Sequence, residues 1–169
     1  MKKGIETERK LIILKPDIAV LRAQPDFTES NITQIYLAAP DGETHRVRMR
    51  VKDGKPVYTE TVKRRISYMS VIEEERKISA AEYSELSARI ARGTHPIVKT
   101  RYTFAYHGRI VEIDVYPQWS RHCILEIELA SEDEELYIPP FIIPVRDVTG
   151  VREYSNASMS VAFPEEDDQ

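Results

Sequence analysis

The chain holds a single cysteine, Cys123, in 169 residues. That excludes an intrachain disulfide and any zinc site built from several cysteines. No G-x-x-x-x-G-K-[ST] run occurs, which excludes a P-loop nucleotide-binding domain. H-E-x-x-H and G-x-S-x-G are also missing. No apolar run approaches the length of a membrane span. The opening MKKGIETERK is charged and has no apolar h-region, so no secretory signal and a cytoplasmic setting are expected. A surplus of positive charge is lacking too. Lys and Arg number 24 against 28 Asp and Glu, a net charge of -4, which argues against a nucleic-acid coat. Neither nucleic acid nor membrane is expected as a partner.

What is present is a composition of a folded domain, 41% hydrophobic and 31% charged. The length suits one domain, taken as 1–163, followed by an acidic tail over 164–169 that is expected to fray. Alternation predicts strands over 5–14, 31–38, 44–52, 56–66, 68–78, 97–106, 109–116 and 122–130. Asp41-Gly42, Asp53-Gly54 and His107-Gly108 mark turns between them. One helix is well signalled. Ser79 and Glu82 form a capping box, Tyr83, Leu86 and Ile90 recur at helical spacing, and Gly93 closes the segment. A shorter helix is expected to begin at Pro16 and a third to cover about 155–162.

Residues two apart on a strand share a face. Glu6, Glu8 and Lys10 share one, as do Arg46, Arg48 and Arg50, then Lys63 with Arg65, and Glu73 with Glu75. Lys99 and Arg101, Glu112 and Asp114, and Glu126 and Glu128 continue the pattern, most of them opposite Val, Ile, Leu or aromatic residues. For one strand, a solvated outer face is a sufficient account. Across seven strands it is not, because like charges two apart repel unless an opposite charge sits between them. Acidic pairs and basic pairs are separated along the sequence, which suggests one sub-site for cations and one for anions. A closed barrel with an ionised lumen fits, its apolar faces turned outward under the helices. Such ions cost several kcal/mol each if buried unpaired. They must be paired, hydrated, or met by a polyanion carrying divalent metal. Carboxylates suit Mg²⁺ or Mn²⁺, and Arg and Lys suit phosphate oxygens.

The ordered set E-T-E-R-K (6–10), R-V-R (46–48), T-V-K (61–63), E-E-E (73–75), K-T-R (99–101), E-I-D (112–114) and E-I-E (126–128) resembles the CYTH family, the triphosphate tunnel metalloenzymes. The segment V-T-G-V-R-E-Y-S-N-A-S at 148–158 is similar to that family's C-terminal segment. The resemblance spans about residue 5 to residue 160. It implies a mainly β fold, a closed eight-stranded antiparallel barrel with a few flanking helices. It also implies Mg²⁺ or Mn²⁺ and a small-molecule substrate containing a triphosphate. The metal-binding acids would be Glu6, Glu8, Asp114, Glu126 and Glu128, which with Lys10 form the catalytic set. Lys10, Arg46, Arg48, Lys63, Glu73, Glu75, Lys99 and Arg101 would line the substrate. Arg50 and Arg65 extend the same faces, and a shift of register would make Arg48 and Arg50 the phosphate-binding pair.

The activity expected is hydrolysis of a triphosphate phosphoanhydride, inorganic tripolyphosphate first, with nucleoside or thiamine triphosphate as alternatives. Adenylyl cyclase is a further alternative. The His-Phe element of that branch is absent, since His45, His95, His107 and His122 are scattered. An alternative of another class is a non-catalytic polyphosphate- or nucleotide-binding module. Oligomeric state is left open by the sequence. Trp119, in a Pro-Gln-Trp-Ser turn, is expected to pack at a barrel end, with stacking on a ligand as the alternative. Cys123 falls on the apolar alternation and is expected to be inert core. Asn156-Ala157-Ser158 is a sequon without significance in a chain with no secretion signal. The acidic run Glu132–Glu135 lacks the spacing of a calcium loop.

Overall fold

A computed structural model describes residues 2–167. Eight antiparallel strands form the wall: β1 (Lys2–Leu14), β2 (Thr28–Leu37), β3 (Glu43–Lys52), β4 (Lys55–Arg65), β5 (Ser70–Ile78), β6 (Ile97–Tyr106), β7 (Arg109–Val115) and β8 (His122–Leu129). Their order is β5-β4-β3-β2-β6-β7-β8-β1, and pairing of β1 with β5 closes the ring. β1 can do this because it is 13 residues long. Lys2 to Thr7 pair with β5, and Thr7 to Leu14 pair with β8 on the other side. Where β1 leaves β5, a ninth strand, β9 (Pro144–Asp147), takes the vacated edge at Leu11 to Ile13.

Two connections are two-residue hairpins. Asp53-Gly54 has φ of 50° and 72°, and His107-Gly108 has 48° and 71°. Two successive positive φ values give the turn whose twist matches paired strands, and glycine bears that conformation without strain.

The outward faces carry the apolar residues. Leu11, Ile13, Phe104, Val111, Ile113, Leu125 and Ile127 are buried on one side of the barrel. Leu21 of α1 (Ile18–Arg22), together with Phe141 and Ile142 of the loop after β8, covers them. Ile35, Leu37, Val47 and Ile78 are buried under Tyr83 and Leu86 of α2 (Ala80–Ser87). Each fully buried aliphatic side chain stabilises the fold by about 1.5–3 kcal/mol. This covering leaves the charged faces only the lumen. The eight strands, the closed barrel and the flanking helices are as expected from sequence. Cys123 lies fully buried in the first of these clusters, and burial pushes its thiol up to about 12, so it is inert core.

Several details differ from the sequence reading. β2 begins three residues before its expected start at 31, because Thr28 to Ser30 find partners on β6. β5 begins at Ser70 rather than 68, because the N–H groups of Ile66 and Ser67 both donate to Ser70 O and bend the chain there. Pro16 lies outside α1, whose N-cap is Asp17. The capping box of Ser79 and Glu82 is present, but α2 stops at Ser87 and leaves Ile90 37% exposed. β9 carries no periodicity that a four-residue segment could display. The acidic tail is not frayed as far as Asp167. Pro164 O accepts from Trp119 Nε1 at 3.0 Å, and Glu166 accepts from the backbone N–H groups of Ser120, Arg121 and His122 at 2.7–2.9 Å. Asp168 and Gln169 lie outside the described residues. Among the described residues no helix is long and apolar enough to cross a membrane.

Candidate functional site

The strand register turns Glu6, Glu8, Lys10, Arg46, Arg48, Lys63, Glu73, Glu75, Lys99, Arg101, Glu112, Asp114, Glu126 and Glu128 into one lumen. Opposite pairs on neighbouring strands show it directly: Glu8 faces Glu128, Lys10 faces Glu126, Lys63 faces Glu73, and Arg101 faces Asp114. Side-chain contacts confirm the shared space.

The deepest ion cluster is Lys99, Arg101 and Asp114. Lys99 Nζ donates to Asp114 Oδ2 at 2.7 Å. Arg101 grips the same carboxylate with Nε on Oδ1 at 2.8 Å and Nη2 on Oδ2 at 2.9 Å. Burial pushes Asp114 up, but Arg101 and Lys99 outweigh it and hold the carboxyl well below the usual range. Burial also lowers Lys99 to about 8 against the pull of Asp114, so the pair is ionised at neutral pH. Lys10 Nζ sits 3.3 Å from Glu126 Oε1 and donates to Tyr154 O at 3.2 Å. Burial raises Glu126, yet Lys10, followed by Arg101 and Lys99, brings it down to about 2.

The opposite wall is a second network. Lys63 Nζ bridges Glu6 at 3.0 Å and Glu73 at 3.2 Å. Thr61 Oγ1 donates to Glu75 at 3.0 Å, and Arg48 reaches the same carboxylate only at 3.8 Å. Burial lowers Arg48 to about 10, and the neighbouring charges of Arg46 and Arg101 add to that effect. Arg46 Nε is buried with no hydrogen-bond partner. Arg48, opposed by burial and by two like charges and only 3.8 Å from its carboxylate, keeps positive charge to offer an anion.

The acids show the converse. Burial pushes Glu8 up to about 7, and the charge of Glu126 adds to it. Glu6 is raised by burial despite Lys63, and Glu128 is raised by burial and by Glu6. Like charges facing one another in a partly dry lumen favour protonation, or a cation.

Arg50 and Arg65 stand apart. Arg50 is exposed, so Arg46 and Arg48 are the pair inside. Arg65 caps the β4–β5 bend by donating to Ser67 O and Tyr68 O. Trp119 is 2% exposed and packs against Tyr116 and Phe163 at one end of the barrel, as expected. Sequence reasoning gave no site role to Glu112, which meets Arg101 at 2.5 Å. Its alternation with Asp114 was the available signal. Tyr36, Gln34, Tyr116 and Asn156 were missed as well. Gln34 Nε2 donates to the Tyr36 hydroxyl at 3.2 Å, and Asn156 Oδ1 accepts from the Tyr116 hydroxyl at 2.7 Å. Neutral residues on an inner face carry no charge pattern to find them by.

A closed antiparallel barrel of eight strands, lined by segregated basic and acidic side chains, is the CYTH fold, the triphosphate tunnel. Among solved structures, the chain is similar to the inorganic triphosphatase NE1496, with 25% identity, TM-score 0.58, and coverage of 94% of this chain and 96% of that one. It is also similar to the PH1819 protein of Pyrococcus horikoshii OT3, at 21% identity, TM-score 0.56, and coverage of 75% and 80%. A putative adenylate cyclase of Bacillus halodurans matches at 19% identity, TM-score 0.52, and coverage of 79% and 84%. No protein-family model matches the chain, and no curated protein matches it in sequence.

Proposed function

We propose that the protein is a divalent-metal-dependent triphosphatase whose first substrate is inorganic tripolyphosphate. The observation that carries this reading is the split lumen, with Arg48 3.8 Å from its nearest carboxylate and Arg46 Nε without a partner on one side, and carboxylates driven toward protonation on the other. A triphosphate with a hard cation answers both conditions at once. The likeness to a named inorganic triphosphatase over nearly the full length of both chains supports it.

The donor set fits Mg²⁺ or Mn²⁺ in chemistry, being carboxylate oxygens raised by burial and mutual repulsion. Among the described residues no three such groups already converge on one point. Glu6, Glu8 and Glu128, joined by Glu126, which Lys10 already keeps ionised, would hold the ion. Asp114, with both oxygens already gripped by Lys99 and Arg101, serves instead to keep those cations ionised and aimed. When bound, the metal would offset phosphate charge and make its water more acidic.

The chain's own residues do the rest. Arg46, Arg48, Lys63 and Arg101 hold the phosphate oxygens and stabilise charge spreading onto the leaving group. Glu73 and Glu75 orient Lys63 and Arg48. Lys10, fixed by Glu126 and Tyr154 O, stands between the acidic and basic groups.

A phosphate-release panel over tripolyphosphate, ATP and thiamine triphosphate, each with Mg²⁺, Mn²⁺ and Ca²⁺, tests the reading. Metal-dependent orthophosphate release, fastest from tripolyphosphate, is expected. Cyclic AMP and pyrophosphate from ATP would replace it with a cyclase, and binding without turnover would replace it with a binding module. Arg48→Ala should weaken substrate affinity by about 1.5–3 kcal/mol, the worth of a charge-assisted hydrogen bond, read as a higher KM. An unchanged KM would remove Arg48 from the cradle.

A further inference from the structure

Among the described residues, exposure along the β1, β6, β7 and β8 side of the lumen falls from one end to the other. Toward one end of the barrel, the inner-face side chain of Glu6 is 29% exposed and Glu128 is exposed. Midway, Lys10 and Glu126 are each 13% exposed. Deeper still, Lys99 and Asp114 are 1% exposed. Beyond them the inner faces turn apolar. Ile12, Ile97, Tyr116 and Ile124 are at most 2% exposed and form one cluster with Trp119 and Met159, the latter from α3 (Asn156–Val161). This cluster is a floor.

Polar atoms lie at or above this floor. Asn156 Oδ1 ties the Tyr116 hydroxyl, at 2.7 Å, to Lys99 Nζ, at 3.5 Å. Arg46, whose Nε is buried without a partner, lies opposite Tyr36 on the neighbouring strand. Lys99 and Arg46 are therefore the cations that stand next to the closed end. A linear phosphate chain carries its extra ionisable oxygen on its terminal phosphate, so its end is the part that matches a closed, cationic recess. A ring of phosphates has no such end.

We infer that the barrel is a blind lumen that recognises the end of a phosphate chain, with an unesterified terminal phosphate seated against the Tyr116 floor. This rests on the triphosphate reading for the class of ligand, and goes beyond it in fixing how that ligand enters. The rest of the chain, or any organic group, stays at the mouth beside Glu6 and Glu128. Cleavage in the middle of a long chain is then impossible, because no chain can pass through.

Binding stoichiometry tests this without relying on turnover. The full-length protein, in EDTA, is titrated by calorimetry and sedimentation with tripolyphosphate and with linear polyphosphates of medium and long length. Trimetaphosphate is added as a competitor. At most two protein molecules should bind each linear chain, one per end, whatever its length, and trimetaphosphate should fail to displace tripolyphosphate. A stoichiometry that grows with chain length, as beads on a thread, would overturn the inference, and so would equal competition by the ring. Absence of tripolyphosphate binding would overturn the inference, and the triphosphatase reading would then stand or fall by phosphate release with Mg²⁺. Phosphate release with Mg²⁺ is then measured separately. End-limited binding without hydrolysis leaves the blind lumen standing and ends the triphosphatase reading. Hydrolysis with length-dependent stoichiometry does the reverse.

Discussion

Asp114 and Glu128 are both inner-face carboxylates, yet their surroundings assign them opposite energetics. Asp114 is almost sealed and carries two cations on its two oxygens. Removing its charge strands Lys99 and Arg101 in a dry region. Asp114→Asn should therefore cost about 3–5 kcal/mol of stability, the usual penalty for breaking a buried ion cluster, read by urea denaturation. Glu128 is exposed and, among the described residues, makes no ion pair, so Glu128→Gln should change stability by no more than about 0.5 kcal/mol. A loss at Asp114 no larger than that at Glu128 would mean the cluster is hydrated. Glu8 adds a pH dependence of known sign. Its carboxyl is raised by burial, then by Glu126, to about 7 in the fold from its ordinary 4.5. The fold thus prefers the protonated form. That stability is fully present below pH 4.5 and is lost as pH rises through 7. In EDTA, the Tm of the wild type should fall over this window relative to that of Glu8→Gln. The same variant should abolish metal-dependent turnover at saturating Mg²⁺ or Mn²⁺. Parallel Tm curves would show that Glu8 is well hydrated in solution.

At the scale of elements, α2 is a short helix whose start is set by local chemistry. Ser79 Oγ accepts from Glu82 N at 3.1 Å, and the Glu82 carboxylate returns to Ser79 N. Ser79→Ala should cost about 1 kcal/mol, seen as a lower Tm with unchanged turnover, since α2 covers the outer face away from the lumen. The cap was legible because it is written in two residues three apart. So were the eight wall strands, because each has a charged face and an apolar face that only one placement satisfies. The inner positions of Glu6, Arg48, Lys99 and Glu126 followed from the same alternation. β9 and the early start of β2 were not legible. Pro144–Asp147 gains its strand character only from the edge that β1 leaves open, and Thr28 to Ser30 from β6. The floor was hidden for a related reason. Ile12, Ile97 and Ile124 continue the parity of the charged rows, but apolar residues at strand ends look the same in sequence whether they face outward or seal a lumen.

At the scale of the whole molecule, the C-terminal tail joins the floor to the barrel. Pro164 O meets the Trp119 indole, and the Arg146 guanidinium meets Asp167 at 3.0 Å. Between them, Glu166 collects the backbone N–H groups of residues 120–122, the Ser120 hydroxyl and the ring of His122. Composition alone pointed to a solvated acidic tail, because it does not show a turn whose N–H groups converge. Burial opposes ionisation of Glu166, but the Ser120 N–H, His122 and the Arg121 N–H outweigh it and hold the carboxyl well below its ordinary value. A carboxyl lowered in the fold contributes stability that is present above its unfolded value and is lost as pH falls through the folded one. Glu166→Gln should therefore lower Tm at pH 7, and the gap to wild type should narrow as the solution is made strongly acidic. The clamp supports Trp119, which lies behind the floor. The variant should then also loosen the closed end, seen as faster amide exchange over 154–163 with the mouth strands unchanged. Equal Tm at pH 7 would show that the tail rests on the barrel without holding it. A Tm loss without faster exchange in 154–163 would confine the clamp to the 117–122 turn.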